Sequence, residues 1–167
     1  DLNDVESIDL NALGGADIVV CAVTASSNLD AAASAAPGLA AGQFYLDINS
    51  VSPKRKREAA AIVGTRARFV DVAVMAPILP LCHKTPMLVA GPPVADLLPL
   101  LLGCGMKAEK AGDDVGAAIA IKMVRSVMIK GLEALTQECF LAARAGGVEE
   151  RIIASLTQSF PTLDWAG

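Results

Sequence analysis

One lysine stands in surroundings that favour proton transfer. Lys122 is flanked by apolar residues at 118–121 and 123–124. Apolar neighbours strip water from an ammonium group, which disfavours its charged form and makes it a tunable proton donor. From periodicity alone a solvated helix face is the favoured interpretation, because polar residues recur at three- and four-residue steps. These residues are Lys122, Ser126, Lys130, Glu133 and Gln137.

The elements that must position this lysine alternate over the first 112 residues. Apolar runs of strand length are separated by segments of helical character, and such runs fit strands buried on both faces of a parallel sheet. The alternation predicts a doubly wound, Rossmann-like α/β sheet. Strands are expected at residues 17–23, 43–47, 69–74, 85–91 and 106–111, and helices at 26–35, 53–63 and 93–102.

Helical sequence continues almost unbroken from residue 113. It contains no proline up to residue 145, where Gly146 and Gly147 provide a stop signal. Residues 149–156 predict one further helix. We therefore expect an α/β domain over residues 1–112, followed by the long core helix and the start of an all-α domain over residues 113–167.

Three loops are candidates for ligand binding. Sheets of this class bind ligands just outside the carboxyl ends of their strands, which selects residues 22–26, 47–53 and 75–77. Polar residues in such turns are often helix caps instead. The dinucleotide fingerprint G-x-G-x-x-G is absent from these positions. Gly103–Ala108 has a looser form, but it follows a predicted helix and precedes a strand, so we do not expect it to bind phosphate.

Four segments together resemble the β-hydroxyacid dehydrogenase family, which includes 3-hydroxyisobutyrate and 6-phosphogluconate dehydrogenases. They are ADIVVCAVTAS, YLDINSVSP, FVDVAVMAP and GDDVGAAIAIKMVRS. The resemblance implies an NAD- or NADP-dependent enzyme that oxidises or reduces the CH–OH group of a hydroxyacid-type substrate. It also implies a divergent branch with its own C-terminal helical domain, in a chain that lacks the first βαβ unit of the nucleotide-binding domain.

The resemblance implies roles for particular residues. The family signature G-x-x-G-x-G-x-x-x-K-x-x-x-N places the general acid/base at Lys122, with Ser126 where asparagine is usual and Ala118 where the last glycine is usual. The family turn D-x-S-T-x-x-P implies contacts with the nicotinamide end of the cofactor from Asn49 and Ser50. The loop after the preceding strand implies cofactor contacts from Val23 and Thr24.

The substrate motif D-A-P-V-S-G-G is only partly kept. Its aspartate and valine are Asp71 and Val74, but the last three positions are Met75, Ala76 and Pro77. These three residues and Ser126 are the expected substrate contacts. His83 or Lys84, just beyond the loop, is a candidate partner for an anionic group, although a loop histidine usually has no such role.

Composition limits the other possibilities. The net charge of −4 and pI near 4.9 argue against nucleic acid as a partner, and charged residues interrupt the most apolar stretch, which argues against a membrane span. Four scattered cysteines and one histidine suggest neither a metal site nor disulfides. The acidic start, Asp1–Asp4, does not fit a signal peptide, so we expect a cytoplasmic protein. With 53% hydrophobic residues, some apolar surface is expected to meet a partner chain. The resemblance implies that the helical domain packs against a second subunit, so we expect at least a homodimer.

Two rival functions stay open. A non-catalytic oligomerisation or ligand-sensing module with this fold would explain the missing fingerprint and the changes at Met75, Pro77 and Ser126. An imine-reducing relative is disfavoured, because those enzymes generally replace the lysine that stands here as Lys122.

Overall fold

A computed structural model describes residues 9–165 of the chain and shows a five-stranded sheet with helices packed on both faces. The strands are β1 (Ile18–Cys21), β2 (Phe44–Asp47), β3 (Arg68–Val74), β4 (Met87–Ala90) and β5 (Ala108–Gly112). The helices are α1 (Asn28–Ala35), α2 (Pro53–Val63), α3 (Val94–Gly103), α4 (Ala117–Ala145) and α5 (Glu149–Ser159). Residues 1–4, on which the expectation about a signal peptide was based, lie outside the described residues.

The strands lie in the order β1-β2-β3-β4-β5. β1, β2 and β3 are parallel to one another, β4 is antiparallel to β3, and β5 is parallel to β4. The expected fold class is confirmed, but the expectation of a wholly parallel sheet is wrong. Residues 75–86 contain only a short 3-10 turn, and without a crossover helix the chain returns antiparallel to β3.

Successive residues of β2 and β3 pack against opposite layers. On one face, Tyr45 and Phe69 stack with ring centroids 5.8 Å apart beneath α1 and α2. On the other face, Leu46 and Val70 pack against α3. β1 is less buried than its apolar sequence suggested, since the side chain of Val20 is 54% exposed. The two-sided core therefore lies mainly on β2 and β3, the strands whose carboxyl ends carry the candidate loops.

Local capping explains where α2 begins. Ser52 has extended backbone angles and its side chain accepts a hydrogen bond from Arg55 N, while Pro53 occupies the first helical position. The predicted range, residues 53–63, is confirmed. α4 follows Gly116, whose φ of +102° lies in the region that favours glycine.

Internal contacts divide the chain between Met123 and Val124. The first unit contains the sheet, α1 to α3 and the start of α4; the second contains the rest of α4 and α5. The domain boundary expected near residue 112 stays a prediction. Among residues 9–165, no helix is both long and apolar enough to cross a membrane.

Candidate functional site

The buried side chain of Asn49 joins the loops that follow β1 and β2. Its Oδ1 accepts a hydrogen bond from Val23 N at 2.7 Å, and its Nδ2 donates to Asp47 Oδ1 at 2.7 Å and to Cys21 O at 3.2 Å. Asn49 N also donates to Asp47 Oδ1, at 2.9 Å. These contacts hold the Asn49 side chain in one orientation, so Asn49 places Val23 beside the second loop.

A groove of about 330 Å³ lies between these two loops. Both Val23 and Ser50 are exposed there. Thr24, in the first loop, has its Oγ1 3.0 Å from the hydroxyl oxygens of both Ser26 and Ser27. The groove therefore has both apolar and polar walls. Its lining residues are Ala22, Val23, Ala25, Ile48, Asn49 and Ser50.

Lys122 contacts this groove through Ser50. Its Nζ donates a hydrogen bond to Ser50 Oγ at 2.8 Å. Burial lowers the pKa of the Lys122 amine below its usual 10.5, and the positive charge of Lys56 lowers this pKa further. The structure thus brings Val23, Asn49, Ser50 and Lys122 together. Ser126 lies in the second unit, and its expected contact with substrate stays a prediction.

A second lysine, Lys56, lies wholly inside the first unit. Its side chain is 0% exposed, and its Nζ lies 3.2 Å from Asp47 Oδ1 and 3.3 Å from Asp71 Oδ1. Nζ also donates hydrogen bonds to the carbonyl oxygens of Asp47 and Val72. A basic run such as Lys54–Arg57 in an acidic chain favours a solvated helix face, and this interpretation is wrong for Lys56. A signal was present, since Lys56 falls in register with the buried residues Ala59 and Val63 of α2.

Asp71 caps the start of α4. Its Oδ2 accepts hydrogen bonds from Gly116 N and Ile119 N, both at 3.1 Å. A carboxylate at a helix N-terminus satisfies donors that the helix leaves free and interacts favourably with the helix dipole. The aspartate of the substrate motif therefore orients the helix that carries Lys122.

The other expected substrate residues lie on the connection from β3 to β4. Met75 N donates to Pro86 O at 2.9 Å, and the half-buried Met75 side chain packs against the cluster that includes Ile119. Ala76 is half-buried and Pro77 is exposed. His83 and Lys84 are exposed in the turn Cys82–Lys84. A Cβ added at Gly105 would lie 3.9 Å from His83 Nε2, so His83 neighbours the turn between α3 and β5.

No group of three or more His, Cys, Asp or Glu side chains within residues 9–165 is placed to hold a metal ion.

Comparison with known proteins finds relatives of this fold. No protein-family model matches the chain. An uncharacterised 28.5 kDa protein from the 7S RNA 5′ region of Methanothermus fervidus is 33% identical over 143 residues, which are 86% of this chain and 54% of that protein. A structure of a conserved hypothetical protein from Sinorhizobium meliloti 1021 is 42% identical with a TM-score of 0.81, covering 94% of this chain and 53% of that one.

Two further structures connect this fold with dehydrogenases and with a bound nicotinamide cofactor. The conserved protein MTH1747, of unknown function and described as structurally similar to 3-hydroxyacid dehydrogenases, is 29% identical with a TM-score of 0.80, covering 95% of this chain and 59% of that one. An imine reductase from Myxococcus stipitatus in complex with NADP⁺ shares the fold at 21% identity and a TM-score of 0.73. The match covers 93% of this chain and 56% of the reductase.

The chain spans about half the length of these relatives. Its fold is one that NAD(P)-binding oxidoreductases use. The resemblance to the β-hydroxyacid dehydrogenase family is thereby confirmed through MTH1747, which is described as similar to 3-hydroxyacid dehydrogenases.

Proposed function

We propose that this chain forms the catalytic region of an NAD(P)-dependent oxidoreductase that acts on the CH–OH group of a hydroxyacid-type substrate, with Lys122 as general acid/base. The observation that carries the proposal is the hydrogen bond from Lys122 Nζ to Ser50 Oγ beside the groove at the strand ends. Ligands of doubly wound sheets bind at this edge.

The groove fits the nicotinamide end of a dinucleotide. Its walls at Val23 and Ile48 suit the face of an apolar ring, and the Ser50 hydroxyl suits a polar substituent. Thr24, which is exposed beside these residues, is a further candidate contact. Asn49 acts indirectly, because its amide already holds Val23 and Asp47. When bound, NAD or NADP supplies the hydride chemistry, and the protein orients the reacting groups.

Lys122 handles the proton. In the oxidation direction its neutral amine accepts the hydrogen of the substrate hydroxyl, and in the reduction direction its ammonium form returns that proton to oxygen. A lowered pKa enlarges the neutral fraction at any given pH, which favours the first of these steps. The Ser50 hydroxyl accepts one hydrogen bond from Nζ and so limits where the amine points.

Replacing the lysine tests the proposal. We expect Lys122→Ala to lower turnover by roughly a hundredfold to ten-thousandfold, the range usual for a general acid/base, and to leave cofactor affinity nearly unchanged. Steady-state kinetics of the full-length enzyme with NAD or NADP measure the first effect, and calorimetric titration measures the second. Lys130→Ala, at an exposed position of α4, is the matched control.

The pH profile adds a direction to this test. Because the amine must be neutral to accept a proton, the oxidation rate should rise with pH, with the midpoint of the rise below 10.5, the usual lysine pKa. Activity of Lys122→Ala within threefold of the wild-type protein would remove this lysine from the mechanism.

Two rival functions give different results in the same experiments. Imine reductases share the fold, but a retained lysine supports chemistry at a hydroxyl, so we expect hydroxyacid oxidation to exceed imine reduction. A ligand-sensing or oligomerisation module would show no turnover that depends on Lys122.

A further inference from the structure

We infer that Lys56 is a positioning residue for the proposed site: by holding Asp47 and Asp71 together, it fixes the separation between Ser50 and Lys122. This inference builds on the proposed role of Lys122 as acid/base. It adds a residue that contacts neither groove nor substrate and that acts through two buried carboxylates.

The first path runs from Lys56 to the groove. Asp47, which Lys56 holds at 3.2 Å, accepts hydrogen bonds from both Asn49 N and Asn49 Nδ2. Asp47 Oδ2 also accepts from the buried Asn28 Nδ2 at 2.8 Å, which ties the same carboxylate to α1. Asn49 in turn binds Val23 N and directly precedes Ser50. A shift of Asp47 would therefore move the hydroxyl that Lys122 contacts.

The second path runs from Lys56 to α4. Asp71 presents Oδ1 to Lys56 Nζ at 3.3 Å and Oδ2 to the backbone of Gly116 and Ile119. Ile119 lies three residues before Lys122, less than one helical turn. The carboxylate that Lys56 orients therefore sets the position of the helical turn from which the Lys122 side chain extends. Lys56 Nζ is where the two paths meet.

The charges explain why a cation is needed at this point. Two buried carboxylates that each lie within 3.3 Å of one atom repel strongly in a medium of low dielectric constant, and Lys56 offsets this repulsion. Charged groups near the start of α4 include Asp71, its partner Lys56, and Arg57, whose guanidinium would lie 2.9 Å from a Cβ at Gly116. Asp113 and Asp114 directly precede the helix, and Asp113 pairs with Lys110. Of these groups, Lys56 also lowers the pKa of Lys122 by charge repulsion.

Reactivity of the Lys122 amine gives a readout that a purely structural ion pair would leave unchanged. Neutral amines react with acetic anhydride, so the pH dependence of labelling at Lys122, measured by mass spectrometry of the digested protein, reports its pKa without any substrate. We expect Lys56→Gln to slow labelling of Lys122 at pH 8 by about threefold or more, equivalent to a rise of about half a pKa unit. Lys56→Arg, which keeps the charge, should restore at least part of the rate.

Lys54→Gln is the matched control. Lys54 is on the same helix, but it is exposed and pairs with Glu58 at 3.8 Å, so its replacement should leave the labelling of Lys122 unchanged. If a thermal melt shows that Lys56→Gln does not fold, Lys56→Gln/Asp71→Asn carries the test. This double variant keeps the net charge of the cluster at its original value and keeps a side-chain oxygen for Gly116 N and Ile119 N. It should also slow the labelling of Lys122, but by a smaller factor than Lys56→Gln.

Unchanged labelling in whichever of these two variants folds would overturn the inference. Failure of the proposed function would give a different result, because Lys122→Ala would then stay active. That result does not depend on how fast Lys122 is labelled in the Lys56 variants. The two ideas therefore fail in separate experiments.

Discussion

At the residue scale, we expect Met75 and Pro77, the proposed substrate contacts, to limit how the site can hold a carboxylate. Serine and glycine at these positions in the family imply a hydroxyl and backbone N–H donors that a ligand can approach closely. Proline has no N–H, and methionine has a flexible thioether instead of a hydroxyl. Met75 N is itself already bonded to Pro86 O. A carboxylate in the family's usual pose would lose one or two charge-assisted hydrogen bonds, each worth about 1.5–3 kcal/mol.

Short 3-hydroxyacids such as 3-hydroxyisobutyrate should therefore be poor substrates of the wild-type protein. We expect Met75→Ser/Pro77→Gly to raise kcat/KM for these acids by about tenfold or more, the factor that 1.4 kcal/mol gives. Steady-state assays on a series of acids measure this, with each single variant as a control. The natural substrate would then be bulkier or anchored differently, with Met75 at its apolar part and His83 or Lys84 at its polar end. Efficient wild-type turnover of the short acids would contradict this.

The two buried or half-buried lysines differ in how far the sequence predicts their surroundings. Apolar flanks predicted a desolvated Lys122 amine, and burial does lower its pKa. However, Ile121, Met123 and Val124 are themselves exposed, and the hydrogen-bond partner of Lys122, Ser50, lies 72 residues away in the sequence. The setting of Lys56 comes from Asp47 and Asp71, which lie nine and fifteen residues away and meet it only in the folded sheet. A basic run gives no indication of such distant partners.

At the scale of elements, the start of α4 depends on one glycine. Gly116 has a φ of +102°, and an added Cβ would lie 3.1 Å from Pro53 Cβ and 3.2 Å from Pro53 O. Both the backbone angle and the closeness of α2 oppose a larger residue. Gly116 also donates to Asp71, so strain here would disturb the cap of the helix that carries Lys122.

We expect Gly116→Ala to lower the free energy of unfolding by about 1–3 kcal/mol, the usual cost of forcing a side chain into this backbone region. Gly103→Ala is a control in the same unit, because Gly103 ends α3 without a positive φ and has nothing within 4 Å of an added Cβ. That variant should be neutral or slightly stabilising. Urea denaturation followed by circular dichroism measures both changes. Equal free energies of unfolding for the two variants would contradict this, because they would show that α2 moves away from an added Cβ at residue 116 without loss of stability.

Element positions followed from local signals, whereas strand direction did not. Ser52 and Pro53 fixed the start of α2, because capping depends on a few consecutive residues. The direction of β4 depends on how residues 75–86 return to the sheet, and the apolar run at residues 85–91 is the same for either direction. The contacts of Asn49 were likewise hidden, since its amide bonds to Val23 and Cys21 in another strand and loop.

At the scale of the whole molecule, the second unit exposes many large apolar side chains. Val127 is 76% exposed and Leu135 69% exposed, and the same unit contains an apolar cavity of about 400 Å³ whose lining includes Phe140 and Leu156. Contiguous surfaces of this kind are typical of protein interfaces. We propose that a second copy of the chain covers it, as the resemblance to the family implies.

The oligomeric state should therefore depend on this surface. We expect the chain to be a dimer or a larger homo-oligomer at micromolar concentration, and Val127→Asp to shift it towards monomer, because burying an unpaired carboxylate in an apolar interface costs several kcal/mol. Lys130→Asp introduces the same carboxylate at a neighbouring position that is already polar and 80% exposed, so it should leave the assembly intact. Light scattering during size-exclusion chromatography distinguishes these cases. A monomeric wild-type chain, or equal dissociation by both substitutions, would contradict an interface centred on Val127.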